Sequence, residues 1–183
     1  MRNDANGTAP QQLVWHYSKG GHLKSILSEG VIRLSVGDFR EQPAAVWFSA
    51  DQTWEPTVYP KFAKDMGKLY RWLGGLVRVG VYPEVAPMRW ANYRQACLAN
   101  TRSSARGRMP SGAMSEWLSV LALTAEQCGA SPDLWRVSLK PVPRSKWIAV
   151  ETWESGRWQP YQGFSTSRPN GGESLHKQQA RTA

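Results

Sequence analysis

An apolar run that ends in His-Tyr-Ser and opens directly onto a helical pattern is the feature that most constrains this chain. Residues 13–18 have the composition of a β-strand, and in residues 19–30 the apolar side chains recur at helical spacing. Gly30 suits the C-cap of that helix, and residues 31–34 have the composition of the next strand. A histidine and hydroxyl side chains delivered to a helix N-terminus predict a site that holds a ribose and a phosphate.

The bulk composition indicates a soluble protein with an anionic partner. The 183 residues fit one domain, and 23 Lys and Arg against 14 Asp and Glu give a formal charge of +9, which favours a nucleotide or a nucleic acid as ligand. Cys97 and Cys128 show no CxxC spacing, and the three histidines form no metal-ligand pattern, so we expect no metal site and reduced thiols. The sequence shows neither a signal peptide nor a membrane-length apolar run, so we expect a cytoplasmic protein that does not enter membranes.

Polar ends flank the predicted domain. Residues 1–11 and 163–183 contain few apolar side chains, and we expect both segments to be disordered. Residues 12–162 then form a single domain. Within it, apolar runs predict strands at about 13–17, 31–34, 45–49, 75–81, 134–139 and 147–153. Helical patterns occupy about 20–29, 60–72, 87–98 and 113–127. Prolines around the fifth strand place it near a sheet edge.

Two of these segments resemble the ADP-ribosyltransferase fold, in the branch of diphtheria toxin, poly(ADP-ribose) polymerases and RNA 2′-phosphotransferases. They are His-Tyr-Ser at 16–18 and Ala-Ala-Val-Trp-Phe-Ser-Ala at 44–50. The resemblance implies an α+β domain with a split mixed or antiparallel sheet, flanking helices and NAD as cofactor. It also implies that His16 donates a hydrogen bond to a ribose hydroxyl, and that Trp47 stacks on nicotinamide where the polymerases use a tyrosine. The alternative for His16 is an ordinary strand position that alternates between core and surface.

Further candidate site residues follow from position. Tyr17 and Ser18 accompany His16, and Gly20 and Gly21 are expected to leave backbone N–H groups open to a pyrophosphate. Arg78 has only apolar or glycine neighbours, so it is a candidate to face the ligand.

The segment after the Trp47 strand offers additional candidates. Ser49 is placed with the cofactor, and Phe48 is expected in the core. Trp54 and Glu55 are candidates for the mouth of the cleft, whereas Asp51 more often acts as a cap in such a position.

The resemblance also implies a glutamate that supports positive charge as the glycosidic bond lengthens. Two residues are candidates, Glu116 within a predicted helix and Glu151 within a late predicted strand. Residues 134–143 instead resemble the closing strand of RNA 2′-phosphotransferases, which use arginines and no catalytic glutamate. Arg33 and Arg136 join Arg78 as strand arginines in that alternative.

The sequence therefore predicts a monomeric, NAD-dependent ADP-ribosyltransferase-like protein with a protein or nucleic-acid acceptor. Its nucleotide substrate would lie between His16 and Trp47. Two alternatives remain open: a non-catalytic module that binds a nucleotide or nucleic acid, and an RNA 2′-phosphotransferase-like enzyme. The arginine-rich loop at residues 99–112 is either a nucleic-acid-binding loop or a solvated surface loop.

Overall fold

The computed structural model describes residues 11–58, 75–103 and 111–165. The strands are β1 (Val14–Lys19), β2 (Val31–Ile32), β3 (Val46–Ser49), β4 (Leu76–Val81), β5 (Met88–Arg89), β6 (Trp135–Ser138), β7 (Val142–Pro143), β8 (Trp147–Glu154) and β9 (Arg157–Pro160). The α-helices are α1 (Leu23–Glu29), α2 (Trp90–Ser103) and α3 (Ser111–Gln127). The predicted helix at 60–72, both predicted disordered ends and most of the arginine-rich loop lie outside the described residues.

The strands build a large antiparallel sheet and a small one. The order in the large sheet is β5-β6-β3-β1-β4-β8-β9, and β2 pairs with β7 in the small sheet. The α+β class predicted from the sequence is confirmed. Every pairing between the described strands is antiparallel. The sheet thus fits the antiparallel half of the prediction and not the mixed half.

The six predicted strands are all present, and so are the three predicted helices that fall on described residues. The fifth predicted strand became β6, second from the edge of the large sheet, with only the two-residue β5 outside it. Gly30 ends α1 with a φ of 63°, which is the left-handed conformation that glycine adopts most easily. Gly129, just after α3, has a φ of 86°.

Strand β1 pairs unevenly with its two neighbours in the large sheet. On one side β1 pairs with β4 over six residue pairs, from Val14 opposite Val81 to Lys19 opposite Leu76. On the other side β1 pairs with β3 at one position, Trp15 opposite Ser49. The same register would place His16 opposite Phe48 and Tyr17 opposite Trp47, and neither of these pairs belongs to the ladder.

Alternation along the strands divides their side chains between two faces. The first face carries Val14 and Phe48, which lie in a core packed against α1. Phe48 is buried there, as predicted. The second face carries most of the aromatic side chains, and α2 and α3 cover it over β3 and β6. Met114 and Leu118 of α3 are fully buried in that layer, so the helix buries one apolar face.

None of the helices in the described part of the chain is long and apolar enough to cross a membrane.

Candidate functional site

A cleft of about 340 Å³ opens beside β1 and β3. Strand β1 gives one wall, β3 a second, and the loop before β3 and the loop after it close the sides. Five of the residues predicted for the site line it together: His16, Tyr17, Trp47, Ser49 and Glu55. The remaining lining is mostly aromatic or apolar, with Trp15, Phe48, Val58, Tyr93, Trp117, Leu121 and Trp135.

A hydrogen bond from β1 to the main chain of β3 holds the ring of His16 in place. Its Nδ1 atom lies 2.9 Å from the main-chain oxygen of Trp47. A carbonyl oxygen only accepts, so Nδ1 carries the hydrogen and donates it. Burial lowers the pKa of His16, which favours the neutral ring. In that form Nε2 is an acceptor. The nitrogen of His16 that the protein leaves free therefore accepts a hydrogen bond, whereas the resemblance implies a histidine that donates one to a ribose hydroxyl.

Tyr17 lines the cleft, but its hydroxyl group is engaged. The hydroxyl donates to the main-chain oxygen of Asp51 at 2.7 Å and accepts from Nη1 of Arg78 at 3.4 Å. Burial raises the pKa of Tyr17 to about 12, so the phenol stays neutral at ordinary pH. Tyr17 therefore offers the cleft a flat apolar surface and no free proton.

Trp47 reaches the cleft from the opposite face of the sheet to His16. Its indole is half-buried and contacts Trp90, Tyr93 and Trp135, with ring centroids 4.8 to 6.0 Å away. All three contacts are edge-on or tilted, with interplanar angles of 45° to 83°. None of these three rings lies parallel to the indole. The imidazole and the indole nevertheless line the same cleft.

The segment after β3 is held by its own side chains. The hydroxyl of Ser49 accepts from the N–H of Asp51 at 3.1 Å. The carboxylate of Asp51 accepts from the N–H groups of Thr53 and Trp54, so Asp51 caps the turn, which is the alternative weighed from the sequence. Trp54 is buried beside Tyr17 and Trp158, behind the cleft and not among its lining residues.

Glu55 is the buried acidic residue that the same segment brings to the cleft. Its side chain is 7% exposed. One carboxylate oxygen, Oε1, accepts from the hydroxyl of Thr57 at 2.6 Å and from its N–H at 3.3 Å. The sequence marked Glu55 as a candidate for the mouth of the cleft. Glu55 lines the cleft, whereas Glu116 and Glu151, the two candidates from the resemblance, do not.

Arg78 and Glu151 form a salt bridge with each other. Nε of Arg78 donates to Oε2 of Glu151 at 2.7 Å, and the guanidinium lies 3.9 Å from the ring centroid of Trp15 and 4.5 Å from that of Trp158. Neither residue lines the cleft. Arg78, predicted to face a ligand, and Glu151, a candidate catalytic carboxylate, are instead paired with each other. Strand register places the two side chains opposite each other on one face.

Glu116 and the helix-start residues also lie apart from the cleft. Glu116 is exposed on α3, next to the lining residue Trp117. Ser18 contacts Nδ1 of His22 at 3.2 Å. The N–H of Gly20 donates to the main-chain oxygen of Gly75 at 2.7 Å, so the prediction that it is open to a pyrophosphate is wrong. Gly21 is exposed and has open space around it.

The other strand arginines do not converge on a phosphate site. Arg33 follows β2, is exposed, and forms a salt bridge of 2.9 Å with Glu29. Arg136 donates to the main-chain oxygens of Asp133 and Trp135. Burial, and then the neighbouring Arg89, lower the pKa of Arg136. Most of the arginine-rich loop, including Arg106 and Arg108, lies outside the described residues.

The charge of the cleft is opposite to the charge of the protein. Its described lining includes the carboxylates of Asp38 and Glu55 and contains no lysine or arginine. The chain as a whole carries a formal +9. Within the described ranges, no three His, Cys, Asp or Glu side chains are grouped so that they could hold a metal ion. What the cleft offers is thus an acceptor nitrogen, flat aromatic surfaces and negative charge.

Comparison of the chain with protein families, with curated proteins and with solved structures finds no match.

Proposed function

We propose that the protein is an ADP-ribosyltransferase-like protein that binds NAD in the cleft and modifies a protein or nucleic-acid acceptor. The observation that carries the proposal is one cavity lined by His16, Tyr17, Trp47 and Ser49, beside the short ladder between β1 and β3. A histidine and an aromatic strand residue on one cavity is the arrangement that the sequence resemblance implies.

The cavity suits the nicotinamide–ribose half of NAD. A volume of about 340 Å³ lies at the lower end of the range of small-molecule pockets, roughly 300 to 1,000 Å³. The described lining has no basic side chain for a pyrophosphate. We therefore place the nicotinamide and its ribose inside, and the pyrophosphate and adenosine outside the cleft.

Two side chains have defined tasks in this proposal. Nε2 of His16 accepts a hydrogen bond from a ribose hydroxyl, and the indole of Trp47 stacks on the nicotinamide ring. NAD supplies the ADP-ribosyl group, whose bond to nicotinamide breaks in the reaction. The apolar lining excludes water from the ribose, which favours transfer to an acceptor over hydrolysis.

The direct test is release of nicotinamide. The full chain is incubated with NAD, alone and with RNA, DNA or a protein extract, and free nicotinamide is measured by chromatography. Release that disappears in His16→Ala and persists in His22→Ala supports the proposal, because His22 is exposed and outside the cleft. The absence of both nicotinamide release and NAD binding by calorimetry would overturn it.

A non-catalytic nucleotide-binding module on the same fold is the second candidate. It is favoured by the positions of Glu116, exposed on α3, and Glu151, paired with Arg78. Binding of NAD without nicotinamide release under any acceptor condition would select this module. Removal of the 2′-phosphate from a phosphorylated RNA in the presence of NAD would select the phosphotransferase alternative instead.

A further inference from the structure

Glu55 lines the cleft, and the protein engages one oxygen of its carboxylate. The residue is 7% exposed, and Thr57 engages its Oε1 atom alone. Oε2 has no hydrogen-bond partner and Glu55 takes part in no salt bridge across residues 11–58, 75–103 and 111–165. The nearby cation, Arg78, is already committed to Glu151 and to the main-chain oxygen of Gln52. Glu55 is therefore a buried carboxyl group with no salt-bridge partner among the described residues.

A negative carboxylate in such a buried position is costly in free energy unless a positive charge or hydrogen bonds compensate it. Burial of an unpaired carboxylate in apolar surroundings is among the most unfavourable arrangements in a protein interior. The rings of Tyr17, Trp47 and Trp135 line the same cleft as Glu55, and the described lining has no lysine or arginine. A ligand that brings a positive charge into the cleft would remove this cost.

The shape of the lining specifies the kind of cation. Aromatic faces attract cations through their π-electrons and stack on flat rings. A flat heteroaromatic cation satisfies the rings and the carboxylate together, whereas a compact ammonium ion leaves the stacking surface unused. The pyridinium ring of oxidised nicotinamide has this chemistry.

We propose that Glu55 is the counter-ion for a pyridinium ring in the cleft and makes the site select a cationic ring over a neutral one. The inference rests on the proposed function and deepens it, since it assigns to Glu55 the recognition of the nicotinamide end of NAD. It replaces Glu116 and Glu151 as the carboxylate of the site.

The test compares two small probes that differ in charge. Binding of 1-methylnicotinamide, a cation, and of nicotinamide, which is neutral, is measured by calorimetry on the full chain. The wild-type protein should bind the cation about tenfold more tightly or better, as expected for a hydrogen bond or contact with a charged partner. Glu55→Gln should remove this preference, and a near-ultraviolet circular dichroism spectrum like that of the wild-type protein shows that the variant is folded. Glu55→Asp, which keeps the charge, should keep a preference for the cation.

A matched control separates Glu55 from negative charge elsewhere. Glu116→Gln removes a carboxylate from the exposed surface of α3 and should leave the preference intact. A wild-type protein without preference, or a Glu55→Gln variant that keeps it, overturns the inference. If NAD still binds in that case, the proposed function stands without it. If the charge preference holds and depends on Glu55, but NAD does not bind, the proposed function fails and the pyridinium site remains.

Discussion

The Nδ1 atom of His16 on β1 donates a hydrogen bond to the main-chain oxygen of Trp47 on β3 at 2.9 Å. This bond fixes the tautomer of the imidazole and turns Nε2 into the free nitrogen of the ring. It also joins the two strands beyond the last residue pair that connects them. The histidine is thus part of the wall of the cleft and a candidate ligand contact at once.

Replacement of His16 by alanine should weaken NAD binding by about 1 to 3 kcal/mol, which is the cost of losing one partner of a buried hydrogen bond. Calorimetry on the folded variant measures the change. His22→Ala is the control, because this exposed histidine lies outside the cleft. Equal affinity of His16→Ala and wild type would remove the imidazole from the binding site.

Acid should destabilise the protein through His16. Burial lowers the pKa of His16 below its ordinary value of 6.5, so the unfolded chain takes up the proton more readily than the folded one. Stability from this group is therefore present above pH 6.5 and is lost as the pH falls towards the lowered pKa. Urea unfolding at about pH 7.5 and about pH 5.5 should show a larger loss for wild type than for His16→Gln. An identical loss in both proteins would contradict this prediction.

The Arg78–Glu151 pair should support stability and not binding. The two side chains are 9% and 19% exposed, so removal of one partner strands the other in a largely buried position. We expect Glu151→Gln or Arg78→Met to lower the free energy of unfolding by several kcal/mol, at most about 3 to 5. The double variant should lose less than the sum of the two, because neither partner is left alone.

The same variants test where the pair lies relative to the ligand. Because the pair lines no part of the cleft, NAD affinity of folded Glu151→Gln should equal that of wild type. A selective loss of NAD affinity in Glu151→Gln, with stability unchanged, would restore Glu151 as a site residue.

Two glycines should respond to alanine with opposite signs. A Cβ atom at Gly80 would lie 2.7 Å from Cζ3 of Trp15, a rigid and buried ring that also covers Arg78, so Gly80→Ala should destabilise by about 1 to 3 kcal/mol. Gly112 lies in the first turn of α3 with nothing within 4 Å of such an atom, and Gly112→Ala should stabilise by up to about 1 kcal/mol. Thermal unfolding of the two variants measures both effects. A stable Gly80→Ala variant would show that Trp15 can move.

Periodicity in the sequence is sufficient to find the main elements of this fold, because the strands of the sheet centre are long and apolar. Strands β5 and β7 have two residues each and carry no period. Strand β9, at the sheet edge, has the sequence Arg-Trp-Gln-Pro and contains one aromatic residue. These elements exist because of their partners, and the sequence of a short strand does not identify a partner.

The sequence predicts those residues of the cleft that belong to a local pattern within one strand. It does not predict contacts that depend on how distant strands align. His16 and Trp47 come from local patterns, and both line the cleft. Arg78 looked like a ligand contact because its neighbours are apolar, but its partner Glu151 is 73 residues away in sequence. Glu55 gains its importance from burial and from missing partners, and a linear pattern contains neither. The direction of the His16 hydrogen bond likewise depends on a carbonyl group of another strand.

The cleft is acidic and lined by aromatic rings, whereas the protein as a whole is basic. This contrast should decide which end of a dipolar ligand enters the cleft first. Long-range attraction by an excess of nine positive charges draws an anion to the outside of the protein. The described walls of the cavity then repel that anion at short range, with Asp38 and Glu55 on its lining. A ligand with a positive and a negative end should therefore enter the cleft with its positive end first and keep its negative end at the rim. Long-range electrostatics would then orient the ligand before it contacts individual side chains.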